Sequence, residues 1–548
     1  MEVNFKKMTF ITHKEIEMAE QIIMTQENNQ KKNVIVVMLD TLSADYMGCY
    51  GNNWIKTPNM DRLAREGVLF ENNYIEGVPT VPCRRSMFTG RYHVHSKGWS
   101  ALDMDDTTIA DLCWGRPIDT ALVFDCPMYR LPKFGYTRGF DKVWFNHGHE
   151  ADHDYFKDDP LYHLKAEDFI DENIIKGVET RGEAKSIRAM MDELETHLRE
   201  SQHWKTDEDH MVARVMKSAV NYLKQADRNK QFFLWVDSFD PHEPFDPPSV
   251  YNPDMKCPYN PDYKGKNMIY PLWGPVEGLF TEPQLHHIRM LYAEKVTMVD
   301  KWLGYLMDQV KAMGLENNTL FLMVSDHGHP FGEGKHGHGI LRKCRPWPYE
   351  ELVRAPMIMK GPGLPAGKRV EGFTQSCDVA PTVLDWLGLP EHSEMTGKNL
   401  LPLARGEVDT LRDFAIAGYY RYSTSIITKD WSYIHWLRED EKTIEDSRFQ
   451  LYKVGVAKTS GHISKSAKIL ASSFDEMQKR VKELASTLDD EDQWTCTPGS
   501  LAELPKRDML FDRQADRYQL NNIAAKDPKK AKELFERLRE FMAELRTC

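Results

Sequence analysis

With 548 residues, 41% of them hydrophobic and 28% charged, the chain has the composition of an ordinary globular protein and is long enough for more than one folding unit. Its formal charge of −12 argues against nucleic acid or an anionic membrane as the main partner. The nine cysteines are scattered without close pairs, which fits neither a disulfide framework nor a zinc ribbon, and the N-terminal segment is charged throughout, so a reducing, cytoplasmic setting is expected.

Residues 1–32 form a polar N-terminal extension. Asn33-Val-Ile-Val-Val-Met-Leu-Asp40 is then a continuous apolar run ending in a carboxylate, the pattern of a buried parallel strand that delivers Asp40 to the ligand edge of an open sheet. Ala121 to Asp125 is a shorter run of the same kind. Gln231 to Asp237, leading into Asp240-Pro-His242, and Thr319 to Asp326-His327-Gly328 repeat the form. Helical periodicity lies between these runs, at Thr57 to Glu66, over residues 184–226 as one or two helices, and at Gln284 to Met313. Strands alternating with helices predict an α/β fold with a largely parallel sheet, occupying residues 33–405. Beyond a break near residues 400–412, Gly418 to Ile427 and Trp431 to Trp436 read as antiparallel strands of a smaller C-terminal α+β subdomain, residues 406–548. Residues 438–500 read as a helical insertion, and Pro528 to Leu545 as a terminal amphipathic helix.

The most informative stretch is Thr80-Val-Pro-Cys-Arg-Arg-Ser-Met-Phe-Thr-Gly-Arg91. It resembles the signature of the sulfatases, a branch of the alkaline phosphatase superfamily, which reads Cys-x-Pro-Ser-Arg followed by Thr-Gly-Arg. One register aligns Pro82, Arg84, Thr89, Gly90 and Arg91 with that pattern, and it puts Thr80 at the nucleophile position and Cys83 at the neighbouring Ser position. The resemblance spans residues 33–525. It implies an alkaline-phosphatase-like central sheet flanked by helices, with Asp40, Thr80, Asp326 and His327 as metal ligands. Sulfatases convert their Cys or Ser to formylglycine, a route closed to threonine, whose secondary alcohol would give at most a ketone. Thr-bearing relatives in the superfamily attack phosphorus with metal assistance, so the resemblance implies a Thr alkoxide nucleophile and a phospho-Thr intermediate.

Two carboxylates and an imidazole favour one divalent ion, zinc or manganese rather than calcium or magnesium. By the same resemblance Arg84 orients the nucleophile and offers its fork to a tetrahedral anion, while Arg85 faces solvent or a helix neighbour. His242, in the stiff Asp240-Pro-His-Glu-Pro-Phe-Asp-Pro-Pro248 loop, matches the family's active-site His and would protonate the leaving group. Lys343 lies six residues before Tyr349, where the family places a Lys about four before; Lys343 or Arg342, or else His336 or His338, would contact the anion. His95 and Lys97 are candidates for the pocket wall, and His147 and His149 for the substrate side.

The expected partner is a small anionic ester, with no nucleic acid and no membrane, and a homo-oligomer is compatible with the sequence. Three functions compete: a metal-dependent hydrolase of phosphate mono- or diesters or phosphonate esters, a sulfuric ester hydrolase working without formylglycine, and a silent anion-binding homologue.

Overall fold

The computed structural model describes residues 31–130, 134–149, 152, 163–180, 184–332, 337–343, 347–437 and 507–545. Every residue of Asn33–Leu39 (β1) is buried, and its side chains divide between two cores. Val34, Val36 and Met38 enter one apolar cluster, and Ile35, Val37 and Leu39 enter the other, as a strand covered on both faces requires.

Val68–Phe70 (β2), Ile118–Phe124 (β3), Lys142–Phe145 (β4), Gln231–Ser238 (β5), Thr319–Val324 (β6), Met357–Lys360 (β7) and Lys368–Val370 (β8) complete an eight-stranded sheet in the order β8-β2-β7-β6-β1-β5-β3-β4. β1 is parallel to both β5 and β6, and β3 is parallel to β5 and β4. β7 runs antiparallel to β6 and β2, so the sheet is mixed, with a parallel centre. The four strands anticipated as apolar runs are β1, β3, β5 and β6, adjacent to one another at that centre. β2, β7 and β8 are only three or four residues long, too short to establish a period.

Helices cover both faces. Pro58–Glu66 (α1), Ala184–Ser201 (α3), Met211–Gln225 (α4) and Glu282–Ala312 (α5) pack on one face, and Thr80–Thr89 (α2) and Val379–Leu387 (α6) on the other. The periodic tract 184–226 resolves into α3 and α4 because a turn intervenes, in which the Asp209 carboxylate accepts the N–H groups of Lys205 and Thr206. Among the described residues no helix is long and apolar enough to cross a membrane.

Phe414–Tyr419 (β9), Ser423–Thr428 (β10), Trp431–Trp436 (β11) and Met509–Asp512 (β12) form a separate antiparallel sheet in chain order. Pro528–Leu545 (α7) covers it, with Leu534 and Leu538 set against Ile416, Ile426 and Tyr433. The expected single segment Gly418 to Ile427 is split by a turn at Arg421, whose φ is 68°. The helical insertion expected at 438–500 lies outside the described residues, as does His336.

Candidate active site

Three adjacent strands of the parallel centre deliver carboxylates to one edge. β1 ends one residue before Asp40, Asp237 is near the end of β5, and Asp326 and His327 follow β6. Such a strand end is where an open sheet exposes groups that are neither paired in the ladder nor covered by a crossover. Facing them is the start of α2, whose first residue is Thr80. All ten residues of α2 are buried, which pins the helix on every side and fixes where its N-terminus points. The helix closes on Gly90 at φ 68°, where the N–H returns to the Ser86 carbonyl and a Cβ would press on Met395 and Ala380.

Arg84 sits beneath this edge, fully buried, and its donors all meet protein oxygens. Nε and Nη2 hold Asp237 at 3.1 and 2.8 Å, Nη1 holds Asp326 Oδ2 at 2.5 Å, and Nη1 also reaches the Thr80 carbonyl at 3.5 Å. Nη2 lies 3.0 Å from Asp40 Oδ2 as an ion pair. Burial opposes the charge, yet the neighbouring carboxylates, Asp237 first, raise the Arg84 pKa well above its ordinary value. The fork expected to hold a tetrahedral anion is therefore occupied by carboxylates, and Arg84 organises the site from below.

Thr41 joins Asp40 to Asp326. Its φ of 65° is uncommon for a β-branched residue. That conformation lets its N–H donate to Asp326 Oδ1 at 2.9 Å and its hydroxyl to Asp40 Oδ1 at 2.7 Å, while Tyr292 O–H donates to its carbonyl at 2.8 Å.

Asp40, Asp326 and His327 bring one ligand atom each within 4.8 Å of one another, all buried. The donor set fits a divalent cation on two observations. Asp40 Oδ2 is buried and meets Arg84 Nη2 as an ion pair without hydrogen-bond geometry, and burial together with Asp326 still raises the Asp40 pKa, a cost that a cation would remove. The Gly328 carbonyl, 2.8 Å from His327 Nδ1, can only accept, so Nδ1 carries the proton and Nε2 presents its lone pair. Burial first, then Lys343, lowers the His327 pKa to about 3, which keeps the imidazole neutral as a ligand must be. Thr80 Oγ1 lies 3.5 Å from His327 Nε2.

Above Thr80, Lys343 Nζ donates to Thr80 Oγ1 at 3.2 Å and meets His242 Nε2 at 2.5 Å. His242 gives its Nδ1 proton to the Glu243 carbonyl at 2.6 Å, so Nε2 is the acceptor facing Lys343, and the ring stacks on Phe239 with centroids 4.1 Å apart. Burial pushes the His242 pKa well below its ordinary value. The loop carrying His242 is held from α5 by the buried Lys295, which donates to the carbonyls of His242 and Pro244 at 3.0 and 2.5 Å and pairs with Asp240 and Asp246 at 2.8 and 2.9 Å.

Asp40, Thr80, Arg84, His242, Asp326, His327 and Lys343 thus converge. Of the weaker candidates, His149 lies beside this group. His338 donates to the Tyr518 carbonyl at 2.8 Å and stacks on Tyr349, tying its loop to the C-terminal segment. Lys97 pairs with Asp103, His147 pairs with Asp152, and His95 is half-buried on the same segment as Lys97. His149 is buried edge-on against Phe239, with its ring 6.4 Å from that of His242. Arg85, expected toward solvent or a helix neighbour, is buried and bound to Ser100, the Ala101 carbonyl and Asp106. Arg342, an alternative to Lys343, turns away to Glu243.

Cys83 is fully buried in the apolar cluster under the sheet, where burial raises its thiol pKa well above the ordinary value. Thr80, at the start of α2, faces His327 and Lys343, whereas Cys83 does not. The sequence reading gave no role to Asp237, Thr41, Glu243 or Lys295. Asp237 had a signal, since it ends the same kind of apolar run as Asp40 and Asp326.

A family model described as Sulfatase matches residues 32–389, and one described as N-sulphoglucosamine sulphohydrolase, C-terminal, matches residues 337–446. An arylsulfatase of Clostridium perfringens is 26% identical, over 76% of this chain and 88% of its own. The multifunctional alkaline phosphatase superfamily protein PehA of Trinickia caryophylli is 28% identical, over 69% of this chain and 78% of its own. Among solved structures, the phosphonate monoester hydrolase of Agrobacterium radiobacter superposes with a TM-score of 0.62 at 19% identity, covering 94% of this chain and 96% of that one.

Proposed function

The chain belongs to the sulfatase family and is a hydrolase of sulfuric or phosphoric esters, and on that premise we propose that Thr80 is its nucleophile and that a monoanionic phosphorus ester, a phosphodiester or phosphonate monoester, is its substrate. The observation that carries this reading is the pairing of two positions on α2. Thr80 Oγ1 stands 3.2 Å from Lys343 Nζ beside the Asp40, Asp326 and His327 cluster, while Cys83, the cysteine of the same helix, is in the apolar core and offers no alternative precursor there.

The residues suit in-line attack. Thr80 Oγ bonds to phosphorus as the bond to the leaving oxygen breaks; Lys343 passes one ammonium proton to His242 Nε2 and takes up the Thr80 proton in its place, and His242 delivers its proton to the leaving oxygen. Lys343 faces the charge that develops on the phosphoryl oxygens, a role in which Arg84 cannot serve while it is occupied by Asp237, Asp40 and Asp326. Water then cleaves the phospho-Thr80 ester. A divalent cation held by Asp40, Asp326, His327 and Thr80, zinc or manganese by its mixed ligands, would polarise a non-bridging oxygen and lower the Thr80 pKa, and would turn three carboxylates and two cations from net minus one to net plus one. A net charge of plus one balances a monoanionic ester and leaves a dianionic phosphate monoester one charge in excess.

A sulfuric ester is also a monoanion, and the curated relatives include an arylsulfatase, so sulfate ester hydrolysis is the second reading. It ranks lower because a sulfated threonine lacks the aldehyde route of release. A silent binding role fits poorly with a complete set of ligands, nucleophile and proton carriers.

The test is turnover of p-nitrophenyl sulfate, p-nitrophenyl phosphate, bis-p-nitrophenyl phosphate and a p-nitrophenyl phosphonate by metal-stripped protein supplied with zinc, manganese or calcium. The diester and phosphonate are expected to turn over fastest, with Thr80→Ala abolishing the reaction and Cys83→Ala retaining it within about threefold. Turnover confined to the sulfate, or loss of activity in Cys83→Ala with Thr80→Ala active, would sink the proposal.

A further inference from the structure

His242 and Glu243 are consecutive, and so are Arg342 and Lys343. Each pair spans two tasks. His242 and Lys343 meet at 2.5 Å over Thr80, while one residue along each segment Glu243 and the Arg342 guanidinium form an ion pair. Both members of that ion pair are buried, Glu243 completely. We propose that the Glu243–Arg342 ion pair is a positioning latch: it closes the two loops on each other and thereby sets the Lys343 ammonium between His242 and Thr80. The proposal rests on the reading that Lys343 and His242 serve the reaction.

Four features favour a latch over incidental packing. Arg342 is held at φ 66°, a left-handed conformation uncommon outside glycine, and its N–H donates to the Pro330 carbonyl at 3.1 Å. Its guanidinium lies over Tyr270 and Trp273, 4.7 and 5.3 Å from their ring centroids, and donates to the Pro271 carbonyl at 3.1 Å. The side chain therefore has a seat of its own, while its neighbour Lys343 reaches Thr80 and His242.

Glu243 is fully buried, with Arg342 as its cation and two histidines beyond hydrogen-bonding distance. Its carboxylate lies 3.7 Å from both His329 Nε2 and His242 Nδ1. Burial opposes its charge, and Arg342 leads the groups that hold its carboxyl well below the usual range. A buried pair of this kind adds little net stability, because the cost of desolvating both ions offsets their attraction, but removing one partner strands the other and is strongly unfavourable. Its value is to exclude arrangements in which the loops part. The latch also accounts for the unusual spacing of Lys343 relative to Tyr349, since the lysine is located by its preceding residue rather than by its distance from the following helix.

The test is a double-mutant cycle on kcat in the full-length protein with the phosphonate and diester substrates, using Glu243→Gln, Arg342→Gln and Lys343→Ala. Glu243→Gln alone is expected to lower kcat about 10- to 100-fold with KM changed less than about threefold, and Glu243→Asp to restore part of the loss. In the Lys343→Ala background the same substitution should cost less than about threefold, because the group it positions is gone. An equal loss in both backgrounds, following a lower melting temperature, would make the pair merely structural and overturn the latch while leaving Lys343 in its role. A fully active Lys343→Ala would overturn both the latch and the reading beneath it. Where Glu243→Gln fails to fold, the milder Arg342→Lys and Glu243→Asp run the same cycle.

Discussion

Asp237 is the residue on which the arrangement of the other charges turns. It takes two of the donors of Arg84, at 2.8 and 3.1 Å, and so divides the guanidinium between itself and the two carboxylates of the metal cluster. Without its charge Arg84 would bind Asp40 and Asp326 more closely, in competition with a cation. Asp237→Asn, which keeps the shape and removes the charge, is therefore expected to weaken zinc or manganese binding about 10- to 100-fold, the usual effect of a group that orients metal ligands. Calorimetric titration of metal-stripped protein reads this without reference to activity, and unchanged affinity would show that Arg84 does not exchange partners in this way. Asp40, Asp326 and His327 were legible in the sequence because each follows an apolar run, and Thr80 and His242 through their match to sulfatase motifs. Asp237 ends the same kind of run, but its function is to bind an arginine 153 positions away, and no local pattern encodes that pairing.

At the scale of elements, α5 does for the His242 loop what the sheet does for Asp40. Lys295 projects from the middle of the helix and satisfies two carbonyls and two carboxylates of the loop from Asp240 to Asp246. Lys295→Met would leave Asp240 and Asp246 without their buried cation, a loss of about 3–5 kcal/mol by analogy with other broken buried pairs. A melting temperature lowered by several degrees and a reduced kcat are the expected outcomes, and a variant as stable and active as the parent would show that the loop holds its own shape. The helix was legible from its apolar spacing, whereas the burial of Lys295 was not, since a lysine in a helix is usually at the solvent face. The same limit explains Arg85 and the mixed edge of the sheet. Arg85 is buried because Ser100, Ala101 and Asp106 fold over it, and β7 is antiparallel because of how the chain returns after β6, both of which are decided by distant segments. Lys343 reaches Thr80 as expected although its spacing to Tyr349 departs from the family pattern, and the proposed latch through Arg342 gives a reason for that.

Across the whole molecule the buried carboxyls pull stability in two directions with pH. Asp246 and Glu243 are held below their ordinary pKa despite burial, by Lys295 and Arg342 respectively, so their contribution is present at neutral pH and is lost on acidification. Glu76 and Glu294 behave in the opposite way. Burial raises each from 4.5 to about 7, and burial raises Asp300 from 3.8 to about 6. A folded carboxyl with a raised pKa keeps a proton that the unfolded chain releases, so the stability it contributes is whole below about pH 4.5 and is lost as pH rises through about 7. Glu294 isolates this effect, because it lies on α5 with Ser249 as its hydrogen-bond partner at 2.6 Å and is remote in role from the metal cluster. Glu294→Gln keeps an oxygen for the Ser249 hydroxyl and removes the ionisation, whose cost by that shift is on the order of 3 kcal/mol. The variant should therefore melt several degrees higher than the parent at pH 8, with the gain shrinking toward zero near pH 5, as followed by scanning fluorimetry. A difference that stays constant between those pH values would mean that packing rather than charge governs this position, and a lower melting temperature at pH 8 would mean that the ionised carboxylate is stabilised where it lies.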